Sequence, residues 1–263
     1  MSATGSEKWT KEILISSYPI NDLPNMKTNK KILLAWSGGK DSALAYYEVQ
    51  KAGKYEITAL LTTVTEDYDR ISMHGVRTSL LEEQAQSLGL PLEKVYISKD
   101  ASNEQYERRM TEKLMAYKDK GISVVAFGDI FLEDLRQYRE KNLAKIGMQG
   151  IFPLWKRNSA ELAYAFIDLG FKAVITCVDS QVLDRSFVGR IYNQEFLAEL
   201  PSKVDPCGEN GEFHSFVYAG PIFNHEIAFM KGDIVLRDNR FYFCDLLPFP
   251  KDDFINPKLS DFY

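Results

Sequence analysis

The segment Ser37-Gly38-Gly39-Lys40-Asp41-Ser42 brings together residue types that bind phosphate. Its adjacent glycines allow the backbone to wrap around an anion, and its two serines supply hydroxyl donors on either side. Lys40 could neutralise phosphate charge or face solvent. Asp41 could hold Mg²⁺ against the phosphates or cap a following helix.

The neighbouring residues predict the elements that would position this segment. Residues 32–36 form an apolar run typical of a strand buried on both faces, and apolar residues recur at helical spacing from Ala43 onward. A strand, a glycine turn and a new helix bring free N–H groups and the positive end of the helix dipole to one point. This context favours a phosphate site over an ordinary glycine turn.

Strand-like and helix-like segments alternate about five times up to residue 178, which indicates an α/β fold with a parallel sheet covered on both faces. In such sheets, ligands bind beyond the carboxyl ends of the strands. Besides the phosphate segment, two segments follow predicted strands and would face the same crevice, and they contribute Thr62, Thr63, Gly128 and Asp129. Asp129 could hold Mg²⁺ or a substrate amine, or it could cap the next helix.

The pattern changes in the second half of the chain. Residues 182–200 read as helical, residues 205–223 are rich in turn residues, and residues 233–249 predict a hairpin across Asp238-Asn239. We therefore expect three parts: an N-terminal extension over residues 1–30 with Met26 as an alternative start, a parallel-sheet domain over residues 31–150, and a smaller α+β domain over residues 151–263.

Composition excludes several classes of protein. A net charge of −5 and a pI of about 5.4 disfavour a general nucleic-acid or membrane surface. Cys177, Cys207 and Cys244 are widely spaced without a CxxC, which argues against a disulfide framework and a structural zinc site. No run approaches the roughly 18 apolar residues of a membrane span. These features predict a cytoplasmic protein.

Two common phosphate loops do not fit: GxxxxGK[ST] would need a glycine at Leu34, and GxGxxG would need separated glycines. Instead, S-G-G-K-D-S after a strand resembles the PP-loop of the N-type ATP pyrophosphatases. Further stretches resemble the diphthine–ammonia ligase-like family within that class: "TTVTEDYDRISMHGVR", "LLEEQAQSLGLPL", "GDIFLEDLRQYRE", "GIFPLW" and "DPCGENGEFHSFV". The resemblance covers about residues 31–223 and implies a Rossmann-like domain of the adenine nucleotide alpha hydrolase (HUP) type.

What this family does is carried over as an expectation. Its eukaryotic and archaeal members amidate diphthine with ATP and ammonia and release AMP and pyrophosphate. The resemblance implies ATP and Mg²⁺ as cofactors, with Asp41 and Asp129 as metal ligands. It also implies an AMP-forming ligase that adenylates a carboxylate or amide acceptor, which the domain over residues 151–263 would bind. Catalytic roles would fall to Lys40, Asp41, Glu209, Glu212 and His214; the last three could instead belong to a solvated loop.

The sequence also departs from those members. They tend to carry G-x-G-G-E-Y-E-T where this chain has residues 208–215, and G-A-I where it has residues 128–130. These spellings are closer to bacterial members, whose hosts lack diphthamide. The ATP chemistry is therefore expected here, and diphthine as the acceptor is not.

Other single residues could bind substrate or serve the fold. His74 could reach the nucleotide or lie at the surface. Trp155 could wall an acceptor pocket or pack in the core, and Cys207 could contact substrate or transfer sulfur. The helix after Asp129 could present phosphate or acceptor ligands, or a solvated face, through Arg136, Tyr138 and Arg139.

Two alternative functions stay open from sequence. One is a tRNA-modifying PP-loop enzyme that thiolates or ligates, which a local basic surface would favour and the acidic composition disfavours. The other is an adenine-nucleotide sensor without catalysis. A homodimer is compatible with the sequence, which contains no feature that requires one.

Overall fold

The structure, a computed structural model, describes residues 30–71 and 74–250 of the 263-residue chain. The predicted N-terminal extension, up to residue 29, therefore lies outside the described residues, as do residues 251–263. In the described part, no helix is both long and apolar enough to cross a membrane.

Ten strands and six helices make up the described chain. The strands are β1 (Lys30–Ala35), β2 (Tyr55–Thr65), β3 (Arg70–Ile71), β4 (Leu92–Ile97), β5 (Val124–Ala126), β6 (Gln149–Ile151), β7 (Lys172–Asp179), β8 (Phe213–Ala219), β9 (Phe229–Arg237) and β10 (Phe241–Pro248). The α-helices are α1 (Lys40–Ala52), α2 (Thr78–Leu88), α3 (Asn103–Lys118), α4 (Glu133–Lys145), α5 (Ser159–Asp168) and α6 (Gln194–Glu199). Two short 3₁₀ turns lie at Glu66–Tyr68 and Arg185–Phe187.

The first sheet is parallel in the order β4-β2-β1-β5-β6, and β3 adds a short antiparallel pairing at the end of β2. This confirms the predicted Rossmann-like α/β fold. Its central strand β1 is apolar on both faces, with Ile32, Leu33 and Leu34 fully buried. The strand order reverses at β1, because β2 lies on one side of it and β5 on the other.

The second sheet is antiparallel, in the order β8-β7-β10-β9. The apolar segment of β7, expected among the alternating strands of a parallel sheet, belongs here instead. The predicted hairpin is confirmed as β9–β10, and Asp238 and Asn239 both have the positive φ that such a turn requires.

The helix predicted over residues 182–200 is wrong for most of its length. Gly189 has a φ of +79°, which interrupts any helix at that point. A helix starts only where the Asn193 side chain accepts the Phe196 N–H at 2.9 Å, and it forms α6.

Two apolar cores stabilise the sheets. The smaller core lies beneath α3 and α4 and includes Leu33, Leu114 and Phe127. The larger core joins the two sheets through residues such as Trp36 and Phe216. Successive side chains of β1 therefore enter different cores, and β1 is held between them.

Candidate active site

The phosphate segment occupies the point where the strand order reverses. Residues 37–42 follow the end of β1, and α1 starts within them at Lys40. Open α/β sheets bind their ligands at this position, because the loops on either side of it diverge and leave a crevice.

The loop is organised by its own serines and glycines. The Ser42 hydroxyl donates to the Gly39 carbonyl at 2.8 Å, and the Gly39 N–H donates to the Ser37 hydroxyl at 3.3 Å. Gly39 is the N-cap of α1 and supplies no side chain to its first turn. The Lys40 N–H donates to the Ser215 hydroxyl at 3.2 Å, and the N-cap glycine leaves the rest of the first turn uncapped, which is the kind of helix start that binds anions.

Lys40 and Asp41 form a charged pair beside this loop. The Lys40 ammonium donates to both Asp41 carboxylate oxygens, at 2.9 and 2.8 Å, and lies 5.5 Å from the centre of the Phe213 ring. Burial alone would lower the pKa of Lys40, but the neighbouring acidic groups, Asp41 foremost among them, together outweigh it and the pKa is raised. Burial raises the pKa of Asp41 against the opposing effect of Lys40. Lys40 therefore stays charged at neutral pH.

Two neighbouring histidines, whose rings are tilted by 35° to each other, lie next to the pair. The His74 and His214 rings are 4.5 Å apart between centroids, and the His74 Nδ1 lies 3.4 Å from the Ser215 carbonyl oxygen. Burial lowers the pKa of His74 to about 4, and Lys40 acts in the same direction. Burial also lowers the pKa of His214, assisted by His74 and Lys40. Both imidazoles are therefore neutral near pH 7.

The turn-rich loop before β8 contains Glu209 and Glu212. The sequence predicts a catalytic role for both, but the structure places their side chains differently. One Glu209 oxygen accepts the Ile130 N–H at 2.7 Å and, more weakly, the Phe131 N–H at 3.4 Å, and the side chain lines the cavity. Burial raises the pKa of Glu209 to about 7, and the negative charge of Asp41 adds to the shift.

Glu212 does not line the cavity. Its carboxylate accepts from the Asp205 N–H at 3.0 Å and from the Asn210 backbone and side chain at 3.0 and 2.9 Å. These bonds hold the loop together, so the geometry gives Glu212 a structural role and does not support the predicted catalytic one.

Gly128 and Asp129 lie at the end of β5, against the start of α1. A Cβ on Gly128 would be 2.8 Å from the Asp41 backbone, so only glycine allows this approach. Asp129 is 8% exposed and pairs with Arg139, with 2.8 Å between Nε and Oδ2. Asp129 does not cap α4, whose N-cap is Leu132.

The predicted substrate-binding residues divide into two groups. Tyr138 and Arg139 line the cavity, and the Arg139 guanidinium lies 4.5 Å above the Phe127 ring. Arg136 turns away from it to stack on Trp155 at 4.6 Å and to pair with Glu140. Trp155 and Arg136 are not among the cavity-lining residues.

Cys207 is also outside the cavity lining. It is buried, its thiol donates to the Ser159 carbonyl oxygen at 3.2 Å, and burial raises its pKa. A protonated, enclosed thiol is a poor nucleophile, so the geometry does not support the predicted substrate contact or sulfur transfer.

The lining groups named above, from Lys40 and Asp41 to Glu209 and His214, surround one cavity of about 400 Å³. Its floor is formed by the phosphate loop and by the predicted strand-end residues Thr62 and Thr63. From there it extends between α3 and α4, where Met110, Leu132 and other apolar side chains line it. The cavity therefore combines a charged end with an apolar arm.

Sequence reasoning missed several residues of this site. Gln84 and Ser215 fix the phosphate loop from α2 and β8, and Tyr106 and Met110 line the apolar arm from α3. Gln84 and Ser215 lie within stretches that resemble the family, "LLEEQAQSLGLPL" and "DPCGENGEFHSFV", so a signal was present without an assigned role. The α3 residues gave no such signal.

A metal ion would have to be held by few protein ligands. Among residues 30–71 and 74–250, no group of three or more His, Cys, Asp or Glu side chains is arranged to bind a metal. The predicted ligands Asp41 and Asp129 both line the cavity, and each raises the local density of negative charge. One or two carboxylates with substrate phosphates is the usual protein contribution to a Mg²⁺ site, so these residues fit that ion.

The strand order, the loop at the reversal point and the cavity beyond it define a Rossmann-like nucleotide-binding protein of the PP-loop class. Two domain models support a narrower assignment: the diphthamide synthase N-terminal domain matches residues 30–150, and the diphthamide synthase C-terminal domain matches residues 158–244. The chain belongs to this diphthamide synthase, or diphthine–ammonia ligase-like, family.

Individual relatives agree with the family assignment. The diphthine–ammonia ligase of Homo sapiens is 28% identical over 228 residues, which cover 76% of this chain and 83% of the human protein. That of Danio rerio is 27% identical over 242 residues, covering 82% and 92% of the two chains. The Schizosaccharomyces pombe ligase is 26% identical over 227 residues, 78% of this chain but only 37% of its own length.

Among solved structures, the U34-tRNA thiolase of Methanococcus maripaludis is similar over 55% of this chain and 58% of its own. Its sequence identity is 16% and its TM-score is 0.34.

Proposed function

We propose that the chain is an ATP-dependent ligase that splits ATP into AMP and pyrophosphate, adenylates an acceptor carboxylate and joins the acyl group to ammonia. One observation carries the proposal. The charged pair Lys40–Asp41 of the PP-loop lines a cavity, and this cavity continues well beyond the phosphate site. Relatives of similar length are named diphthine–ammonia ligases.

The proposed reaction has two steps. An oxygen of the acceptor carboxylate attacks the α-phosphorus of ATP, the bond to the bridging oxygen breaks, and pyrophosphate leaves. The nitrogen of ammonia then attacks the acyl carbon, the bond to the AMP oxygen breaks, and a proton leaves the nitrogen. The products are an amide, AMP and pyrophosphate.

The residues around the loop suit the first step. The serine hydroxyls and the start of α1 would bind the leaving pyrophosphate, and Lys40 would exchange Asp41 for a phosphate oxygen as charge develops. Mg²⁺ held by Asp41 and Asp129 would supply further neutralisation of phosphate charge. Such fixed groups act on the charge that forms in the transition state.

Glu209 suits the second step. Its carboxylate lines the cavity, and its pKa of about 7 leaves it able to accept a proton near neutral pH. We assign it the proton that the attacking nitrogen loses. His214, neutral and beside Lys40, would assist in orienting the acceptor.

The acceptor is proposed only as a molecule that carries a carboxylate. Diphthine is the acceptor in the relatives' names. The loop at residues 208–215, next to Lys40, differs in sequence from the G-x-G-G-E-Y-E-T stretch that eukaryotic and archaeal members tend to carry. The apolar arm between α3 and α4 supports an adenine base or an apolar body at that end. A cytoplasmic location is part of the proposal and is supported by three free cysteines.

The test is the fate of the α-phosphate. The protein is incubated with Mg²⁺ and α-³²P-ATP, with and without ammonium and a cell extract, and AMP is resolved from ADP. We expect AMP and pyrophosphate, a loss of at least 100-fold in Asp41→Ala, and little change in the exposed control Asp134→Ala.

Other outcomes would select other functions. ADP as the product would refute the proposal. Intact ATP under every condition, with tight binding, would favour the nucleotide sensor. Turnover that depends on tRNA in the extract would favour the tRNA-modifying enzyme, for which the enclosed Cys207 provides no thiol nucleophile.

A further inference from the structure

Gln84 connects three parts of the molecule at the phosphate loop. It lies in the interior of α2 and is completely buried. Its oxygen accepts the Trp36 indole N–H at 2.9 Å, and its nitrogen donates to the carbonyl oxygens of Gly38 and Val217 at 3.0 and 2.6 Å. A buried amide with all its groups paired is well fixed in orientation.

The Gly38–Gly39 peptide is the group that Gln84 holds. Its carbonyl accepts from Gln84 and also from the Val217 N–H at 2.9 Å, so it points towards β8. In a trans peptide the N–H points to the opposite side. There the Gly39 N–H meets the hydroxyl of Ser37, which lines the cavity.

Without the Gln84 amide, this orientation would be held less firmly. The carbonyls of Gly38 and Val217 both accept from the Gln84 nitrogen, and without it the Gly38 carbonyl would keep only the bond from the Val217 N–H. Gly38 also has a φ of +78° and no side chain to resist rotation. A rotated peptide would present a carbonyl oxygen, instead of an N–H, on the cavity side.

We infer that Gln84 is a positioning residue for phosphate binding: it pins the Gly38–Gly39 peptide so that the Gly39 N–H is available to a phosphate oxygen. The inference rests on the proposed function in one respect, that this loop binds the phosphates of ATP. The Ser37 hydroxyl holds the same N–H at 3.3 Å, a long bond that a phosphate oxygen can replace.

The experiment compares Gln84→Met with Gln86→Met, a matched change at an exposed position of the same helix. Methionine keeps the length of the side chain and removes its amide. Binding of ATP, pyrophosphate and adenosine is measured by calorimetry, and the KM for ATP is measured where turnover is present. We expect Gln84→Met to weaken ATP and pyrophosphate binding by roughly 10- to 100-fold and to leave adenosine unchanged.

The outcomes are distinguishable. Equal losses for ATP and adenosine, or unchanged ATP binding, would overturn the inference while leaving the proposed function intact. A wild-type protein that binds neither ATP nor pyrophosphate would overturn both. If Gln84→Met does not fold, Gln84→Glu keeps the shape and removes donors; if that variant also fails to fold, Gln84 serves stability alone and the inference is wrong.

Discussion

Glu209 is subject to two opposing influences in the folded chain. Two backbone N–H groups favour its ionised form, while burial and the charge of Asp41 oppose it, and the result is a pKa of about 7. Because the ordinary glutamate pKa is 4.5, the folded state resists ionisation of this group between these two values. Folding is thus less favourable at high pH than it would be with a neutral side chain here.

Replacing Glu209 by glutamine tests this at the residue scale. Glutamine still accepts the Ile130 N–H but carries no charge. Because its pKa is raised, Glu209 costs the wild type stability as the pH rises from 4.5 through 7. The free energy of unfolding of Glu209→Gln minus that of the wild type should therefore increase by on the order of 1 to 3 kcal/mol from pH 5 to pH 8. Urea unfolding at both pH values measures the difference.

The exposed Glu195→Gln on α6 is the control and should show no such trend. A constant difference between Glu209→Gln and wild type at the two pH values would contradict the pKa. Turnover of ATP to AMP should fall in Glu209→Gln if the residue accepts the proton from ammonia.

The two glutamates of this loop also show the limit of sequence reasoning for single residues. Glu209 and Glu212 share a turn-rich stretch, and their types and spacing give them the same expectation. Which carboxylate faces the cavity is decided by loop hydrogen bonds to Asp205 and Asn210, and the sequence does not encode these in any local pattern. Gln84 was missed for the same reason, since a helix pattern does not reveal which carbonyls a buried amide will meet.

At the scale of elements, the segment that carries His74 is held from the second sheet. Arg70 and Arg77 flank this segment and both pair with Asp245 of β10, at 2.8 and 2.7 Å. Gly75 packs so closely on Phe243 that a Cβ would lie 2.7 Å from the ring. Strand β10 therefore helps to hold His74 against the phosphate loop.

Asp245→Asn should loosen this connection. Partial burial alone would raise the pKa of Asp245, but hydrogen bonds from Arg77 and Arg70 lower it to about 2. The stabilisation is therefore present above the ordinary value of 3.8 and is lost as the pH falls through it towards 2. We expect a cost of about 1–2 kcal/mol at pH 7 that shrinks by pH 3, measured by urea unfolding.

Asp233→Asn on the exposed strand β9 serves as the control for this change. Equal destabilisation by Asp245→Asn at pH 7 and pH 3 would mean that the ion pairs contribute nothing. A rise in the KM for ATP without loss of stability would assign the contact to positioning alone.

The elements of the first sheet were predictable because each is specified locally. Apolar runs, glycines and helix starts mark them, and the three strand ends at the crevice follow from parallel topology. Strand β7 was misplaced because a fully buried strand reads alike in parallel and antiparallel sheets. Its true partners, β8 and β10, lie 34 or more residues later, and only packing selects them.

At the scale of the whole molecule, the larger core includes residues of both halves of the chain. Trp36 packs edge-on against Phe223, and Tyr47 of α1 packs against Phe171. Removing the second half would expose these apolar surfaces to water. The domain boundary near residue 150 stays a prediction. The larger core contains residues from both sides of that position.

The shared core predicts one cooperative unfolding transition for the full chain. Scanning calorimetry should give a single peak whose calorimetric and van't Hoff enthalpies agree, and a fragment of residues 30–157 should not fold alone. Two resolved transitions, or a folded fragment with a sharp melting curve, would show that the halves are independent.

The hold of Val217 and Gln84 on the Gly38 carbonyl has a consequence for inheritance. A genetic exchange with a crossover between residues 150 and 158, in the gap between the two matched domains, would pass on the loop and Gln84 without Ser215 or Val217. A hybrid of two diverged relatives would then combine the phosphate loop of one protein with the strand β8 of the other, and these two elements would not have evolved together. Descent should therefore transmit the two halves together, as one heritable unit.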